Sequence, residues 1–295
     1  MAATDKKALL KPVLYVLGIV LIFAAGWTAW QQTDLAVLRH APIWAVLTLA
    51  VAVAGNLIVT AGLFHVVTRS FDAKPPVPFG RMFWLIAASA LLNYLPMRAG
   101  LIGRAGYLKA KHALPLRQSV LILTIVLMLG GVVLGLPLLA VLLVPVHLQD
   151  MTCLLALLLL LAASPAISRL ARKYAHRHAY AFWSWGPLRI VDLLIGAARM
   201  WLAFRVMGES ISFSQATVAG AAGMLVSQLG ITPNGLGLRE WAIGATAALT
   251  APLDTAVGVT ASLVDRGIEV IVVAIAGLIA MTRLQLGKIE PEGEN

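Results

Sequence analysis

Charge is what this chain has least of. Only 12% of its 295 residues are Asp, Glu, Lys or Arg, about half the ~25% of a soluble domain. The longest reasonably polar stretch, 168–186, is far too short to bury a core of its own. Cysteine is almost missing. The single Cys153 excludes an internal disulfide and a cysteine-based metal cluster. It lies in an apolar run and reads as a small core residue. There is no Asn-x-Ser/Thr acceptor and no Walker A segment, so no ATP motor is expected. GLGLRE, at 235–240, is half of a dinucleotide-binding fingerprint and follows no strand. His176 and His178 sit in a basic loop and read as solvated. No His/Asp/Glu cluster has ligand spacing and no nucleophile set is visible. The expectation is therefore a protein with no catalytic constellation, no metal and no cofactor.

Apolar residues fill the space that charge leaves. They make up 60% of the chain, and mean hydropathy is +0.88. This defines an all-α polytopic membrane protein, because a helix satisfies its own backbone in lipid. Spans need about 20 residues. Clear ones lie at 12–30, 42–67, 118–146 and 256–281, with a shorter one at 151–167. A sixth, 187–207, carries Arg189, Asp192 and Arg199. The run 12–30 is long for a signal-peptide core and reads as a retained span. Two further regions, 80–113 and 213–250, are broken near their middles by Pro and Gly.

The net charge of +10 is first a topology signal, since Lys and Arg collect on the cytoplasmic side. The basic residues are split among short loops, which argues against nucleic acid as a partner. Lys6, Lys7 and Lys11 place the N-terminus inside. Arg69, Lys74 and Arg81 are inside, as are Lys109, Lys111 and Arg117, while 147–150 has no basic residue and is outside. Segment 168–180 returns to the cytoplasm, with 168–186 read as lying along the membrane surface or as a plain loop. Arg283 and Lys288 put the C-terminus inside. Trp27, Trp30, Trp44, Trp183, Trp185 and Trp201 are expected at the interfaces. The pattern is self-consistent only if 80–113 enters and turns back at Leu95-Pro96, and 213–250 does the same from outside at Thr232-Pro233. The expected architecture is six full spans plus two re-entrant hairpins, eight embedded units, N-in and C-in, in a cytoplasmic (inner) membrane. Unpaired backbone at that depth needs protein or water around it, which implies a cavity.

A shift of 137 residues brings Pro96 onto Pro233, Gly100 onto Gly237, Leu101 onto Leu238 and Pro115-Leu116 onto Pro252-Leu253. Residues 1–146 and 147–295 then read as two repeats of opposite topology, the pattern of an inverted-repeat transporter with a midplane site.

The tips carry the chemistry. Each exposes a helix start that attracts anions. Arg98 and Arg104 add positive charge at the first tip and Arg239 at the second, and the arginine fork suits phosphate. Asn93, Gly100, Asn234, Gly235 and Gly237 complete the candidate binding set. Arg98 and Arg104 have the alternative of snorkelling to head groups. Arg239 and Glu240 have the alternative of a structural ion pair. In span 256–281, Asp265 and Glu269 share a face, with Arg266 beside them. Arg189, Asp192 and Arg199 lie within about an 80° arc. A central charge costs about 2.5–3.5 kcal/mol on insertion scales, so the two charged faces should meet each other or line the cavity. Glu240, Asp265, Glu269, Asp192 and Arg199 are the candidates for coupling to protons or for permanent pairing.

These motifs resemble one known family. Asn93, Pro96, Arg98, Gly100 and Arg104, then Pro233, Gly235, Gly237, Arg239 and Glu240, then Arg266 in the last span, are similar to the membrane flippase domain of lysylphosphatidylglycerol synthases and its stand-alone relatives. The resemblance covers almost the whole chain. Relatives often carry an acidic residue just after the first motif's Gly, where this chain has Leu101. No aminoacyl-transferase segment is read in this sequence, so lysyl transfer is not implied. The resemblance implies transport of an anionic phospholipid or a polyprenyl-phosphate-linked sugar between leaflets, with Arg98, Arg104, Arg239 and Arg266 on the head group. The alternative is an intramembrane accessory protein or enzyme of a lipid-modifying pathway such as hopanoid or glycolipid metabolism.

Overall fold

The computed structural model describes residues 2–32, 39–71, 73–95, 99–174, 179–251 and 253–284, with side chains described outside 2–15 and 166–184. The described residues form ten α-helices and no strand: α1 (Ala2–Gln32), α2 (Ile43–Thr68), α3 (Phe79–Leu92), α4 (Ala99–His112), α5 (Leu116–Leu142), α6 (Gln149–Tyr174), α7 (Ala179–Val206), α8 (Phe213–Leu229), α9 (Leu238–Thr250) and α10 (Thr255–Leu284). Among them, Ile43–Thr68, Leu116–Leu142, Val146–Pro165 and Thr255–Leu284 are long and apolar enough to cross a membrane, and Val16–Gln32 and Phe79–Leu92 are shorter apolar helices.

The outside is apolar. Leu47, Val51 and Ile58 of α2, Leu154, Leu155 and Leu158 of α6, and Ile271, Ile275 and Leu278 of α10 are all exposed. Water would penalise such a surface, but lipid does not. Threonines on these helices return their hydroxyls to the carbonyl one turn back, as Thr48 does to Trp44 and Thr152 to Leu148, so that these donors are satisfied without water. The inside holds two large clusters, one among α2, α3, α5, α7 and α8, the other where α2, α7 and α10 meet.

Both interrupted regions are helix–break–helix units. The second is fully described. Helix α8 starts at a capping box, with Ser212 and Gln215 exchanging bonds, and Asp150 of α6 accepts from the Ser214 N–H at 2.8 Å. It stops at Gly230 in the left-handed conformation. A short turn over Pro233–Gly235 leads to α9. Gly237 there has φ +77°, and a β-carbon would sit 2.3 Å from Leu21 Cβ, so α1 closes directly on the turn. In the first unit, Pro96 and Arg98 lie outside the described residues. Gly100 packs α4 on α3 so closely that a β-carbon would lie 2.0 Å from the Ser89 carbonyl oxygen.

Two expectations need correction. Segment 168–186 is not a plain loop: among its described residues α6 runs to Tyr174 and α7 begins at Ala179, because Leu, Ala and Arg there continue a helix readily. His176 and His178 lie outside the described residues. Trp185 is not interfacial but 3% exposed within the core, since α7 starts earlier than its charges suggested. Trp27, Trp30 and Trp44 are exposed. Cys153 is buried in the core.

Candidate functional site

One turn of α10 organises the interior. Asp265, Arg266 and Glu269 project from it, and α7, α9 and the turns beside α3 and α9 answer. Arg199 of α7 grips Asp265 with its fork, Nε to Oδ1 and Nη2 to Oδ2, both 2.9 Å. The bidentate geometry is the strongest available to this pair. The same Nη2 reaches Glu269 Oε2. Arg239 of α9 donates to Glu269 Oε2 at 2.8 Å and also to Asp265 Oδ2. Arg266 turns the other way, giving Nε to Glu240 Oε1 at 2.9 Å and Nη1 to the Asn234 carbonyl at 3.2 Å. Arg239 and Glu240 therefore do not pair with each other; each reaches a residue of α10.

The network extends into α2. Arg199 Nη1 donates to Asn56 Oδ1 at 2.8 Å. Asn56 in turn donates to Asp192, which is paired with Arg189. Tyr94, at the end of the α3 unit, donates its hydroxyl to Glu269 Oε1 at 3.0 Å, and Arg266 stands 5.9 Å from its ring centroid. Arginines 189, 199, 239 and 266 thus face carboxylates 192, 240, 265 and 269. The cluster is neutral, which is what lets it exist away from water: an isolated buried charge costs several kcal/mol, and a paired one far less.

Arg104 of α4 is different. Its guanidinium carbon lies 3.8 Å from the centroid of the Phe64 ring, a cation–π contact. Among the described residues it has no carboxylate or hydrogen-bond partner. It stands where two cavities meet. One, of about 250 Å³, is lined by Thr60, Asn93, Ser227, Gln228 and Asn234 among others. The second, of about 260 Å³, is mainly apolar, with Met82, Leu108 and Ile122 in its wall. A third cavity of about 130 Å³ shares Asn93 and Asn234 with the first and ends on Tyr94, Arg199 and Glu269.

The sequence candidates therefore separate into groups. Arg104, Asn93 and Asn234 line cavities. Arg239, Arg266, Glu240, Asp265 and Asp192 form the ion network, with Arg199 and Glu269 in both roles. Gly100, Gly235 and Gly237 pack against Ser89, Ser227 and Leu21. Sequence reasoning missed Asn56, Tyr94, Thr60, Ser227 and Gln228. Asn56 had a signal, a strong hydrogen-bonding side chain inside a very apolar span. Among the described residues no three His, Cys, Asp or Glu side chains gather as a metal site would need.

A helical bundle with apolar outer faces, buried ion pairs and polar inner cavities is a multi-pass membrane protein. The family model for the lysylphosphatidylglycerol synthase TM region matches residues 13–277, and the chain belongs to that family. No curated protein and no solved structure matches it.

Proposed function

We propose that this protein is a lipid flippase of the cytoplasmic membrane, which carries an anionic phospholipid or polyprenyl-phosphate sugar between leaflets. The observation that carries this is Arg104, a half-buried cation that has no counter-charge among the described residues and stands at the junction of a polar and an apolar cavity. A phosphate on Arg104 would supply the missing charge. Asn93 and Asn234 would hold the head group, and the apolar cavity would take the first part of a tail. The neutral network beside it would brace the cavity wall.

Alternating access in this reading comes from an inverted repeat of 1–146 and 147–295, N-in and C-in, with the α3–α4 and α8–α9 units re-entering from opposite sides. Helix bounds support it: α2 advanced by 137 residues runs from 180 to 205, against 179–206 for α7, and α5 so advanced starts at 253, against 255 for α10. Packing supports it too. Helix α3 lies on α10 as its counterpart α8 lies on α5, and α1 lies on α10 as α6 lies on α5.

Proteoliposomes test the proposal. With fluorescent phosphatidylglycerol in both leaflets and a membrane-impermeant quencher outside, the protein should render the inner-leaflet pool accessible. Arg104→Gln should slow this about tenfold or more, the loss expected for a charge-assisted bond to phosphate. Wild-type protein that moves neither this lipid nor a polyprenyl-phosphate sugar would refute the proposal.

A further inference from the structure

The Arg104 cavity also carries information about which head group it admits. We infer that it selects a lipid whose head group has one net negative charge and hydroxyl groups but no amine, and that Leu101 and Arg104 together set this choice. The inference rests on the lipid-transport reading and deepens it.

The first ground is charge. Among the described residues lining the cavity of about 250 Å³, Arg104 is the one charged side chain. The network behind it is already neutral. A phosphodiester cancels Arg104 and leaves the site balanced, whereas a head group that also bears an ammonium leaves one positive charge over. An ammonium is compact, strongly hydrated and offers only donors, so leaving water without a carboxylate is costly for it.

The second ground is the state of the nearest carboxylate. Glu269 lines the adjoining cavity of about 130 Å³, but both its oxygens are engaged. Oε1 accepts from the Tyr94 hydroxyl at 3.0 Å, and Oε2 accepts from Arg199 and from Arg239 at 2.8 Å. Three of its roughly four acceptor sites are filled, and its one negative charge is already shared by Arg199 and Arg239, so an amine there would compete with two arginines for it. The third ground is the lining. Thr60, Asn93, Ser227, Gln228 and Asn234 bring hydroxyls and amides, groups that both donate and accept and so match the hydroxyls of a polyol.

Leu101 is the control element. It stands three residues before Arg104 on α4, hence on the same face, and lines both cavities that Arg104 lines. A carboxylate at 101 would lie within reach of the guanidinium and neutralise it. Leucine keeps the positive charge available to the ligand.

The test is native mass spectrometry of the full chain, purified in detergent with equimolar phosphatidylglycerol and phosphatidylethanolamine, which differ in net charge and in the amine. Wild-type protein should retain phosphatidylglycerol over phosphatidylethanolamine by about tenfold or more. Arg104→Gln should erase that preference, and Leu101→Glu should shift it toward phosphatidylethanolamine. Equal retention by the wild-type protein, or a preference that both variants leave intact, overturns the inference. Displacement of the lipid by an equal concentration of glycerol 3-phosphate also overturns it, because the site would then serve a soluble phosphate. Head-group preference without transbilayer movement would remove the transport reading and leave this site standing. Movement without preference would do the reverse.

Discussion

Arg239→Ala removes one of the two guanidiniums that share Asp265 and Glu269. Three buried arginines then face four carboxylates, and Asp265 is fully buried with Arg199 alone to answer it. Removing one member of a buried pair costs about 3–5 kcal/mol, most of it the penalty on the charge left behind. Glu269→Gln makes the opposite error, four arginines against three carboxylates, and still offers Tyr94 an acceptor oxygen. The double variant restores parity at three against three. If charge balance is what the network requires, the double variant loses less stability than the two single losses added, by about 0.5–3 kcal/mol. Thermal unfolding in detergent, followed by the fraction that elutes as folded monodisperse protein, measures all four corners of the cycle. Strict additivity, or an Arg239→Ala variant as stable as the wild type, refutes the reasoning. A stable Arg239→Ala that loses only transport would move Arg239 from the brace to the binding site.

Two further outcomes follow from backbone packing and from topology. Gly100→Ala and Gly237→Ala should each destabilise by more than ~1–3 kcal/mol, the second more severely because it combines a positive φ with a contact of 2.3 Å to Leu21; unfolding midpoints within error of the wild type would contradict the packing of either break. In a Cys153→Ala background, which removes the one native cysteine, cysteine at the exposed His147 should react with an impermeant maleimide applied from outside the cytoplasmic membrane. Cysteine at the exposed Lys74 should react only after permeabilisation, and the reverse pattern would invert the proposed orientation.

Much of the scaffold was legible because membrane insertion is read from one-dimensional quantities. Hydropathy marks α2, α5 and α10 to within a few residues. Pro233, Gly235 and Gly237 mark the break between α8 and α9, since proline removes a donor and glycine tolerates the turn. The extension of α6 and α7 into 168–186 was not legible, because the basic residues that signal a cytoplasmic segment are also good helix formers. Trp185 was misplaced for the same reason: the boundary it was judged against moved.

The site was legible in its residue types and not in its pairings. Eight charged side chains within apolar helices had to find one another, and the i, i+4 spacing of Asp265 and Glu269 put both on one face. Which arginine each would meet depends on how α7, α9 and α10 cross. Arg199 lies 66 residues from Asp265 in sequence, and nothing local distinguishes it from Arg189, which stays on its own helix with Asp192.

By itself, then, the sequence determined that this chain lives in lipid, where its helices break, and that its interior charges must be compensated, because those follow from the cost of exposing backbone and charge to hydrocarbon. The tertiary structure alone decided which charges are compensated. It closed four arginines on four carboxylates and left Arg104 facing two cavities with no counter-charge among the described residues, because compensation depends on distances of a few ångströms between helices far apart in the chain.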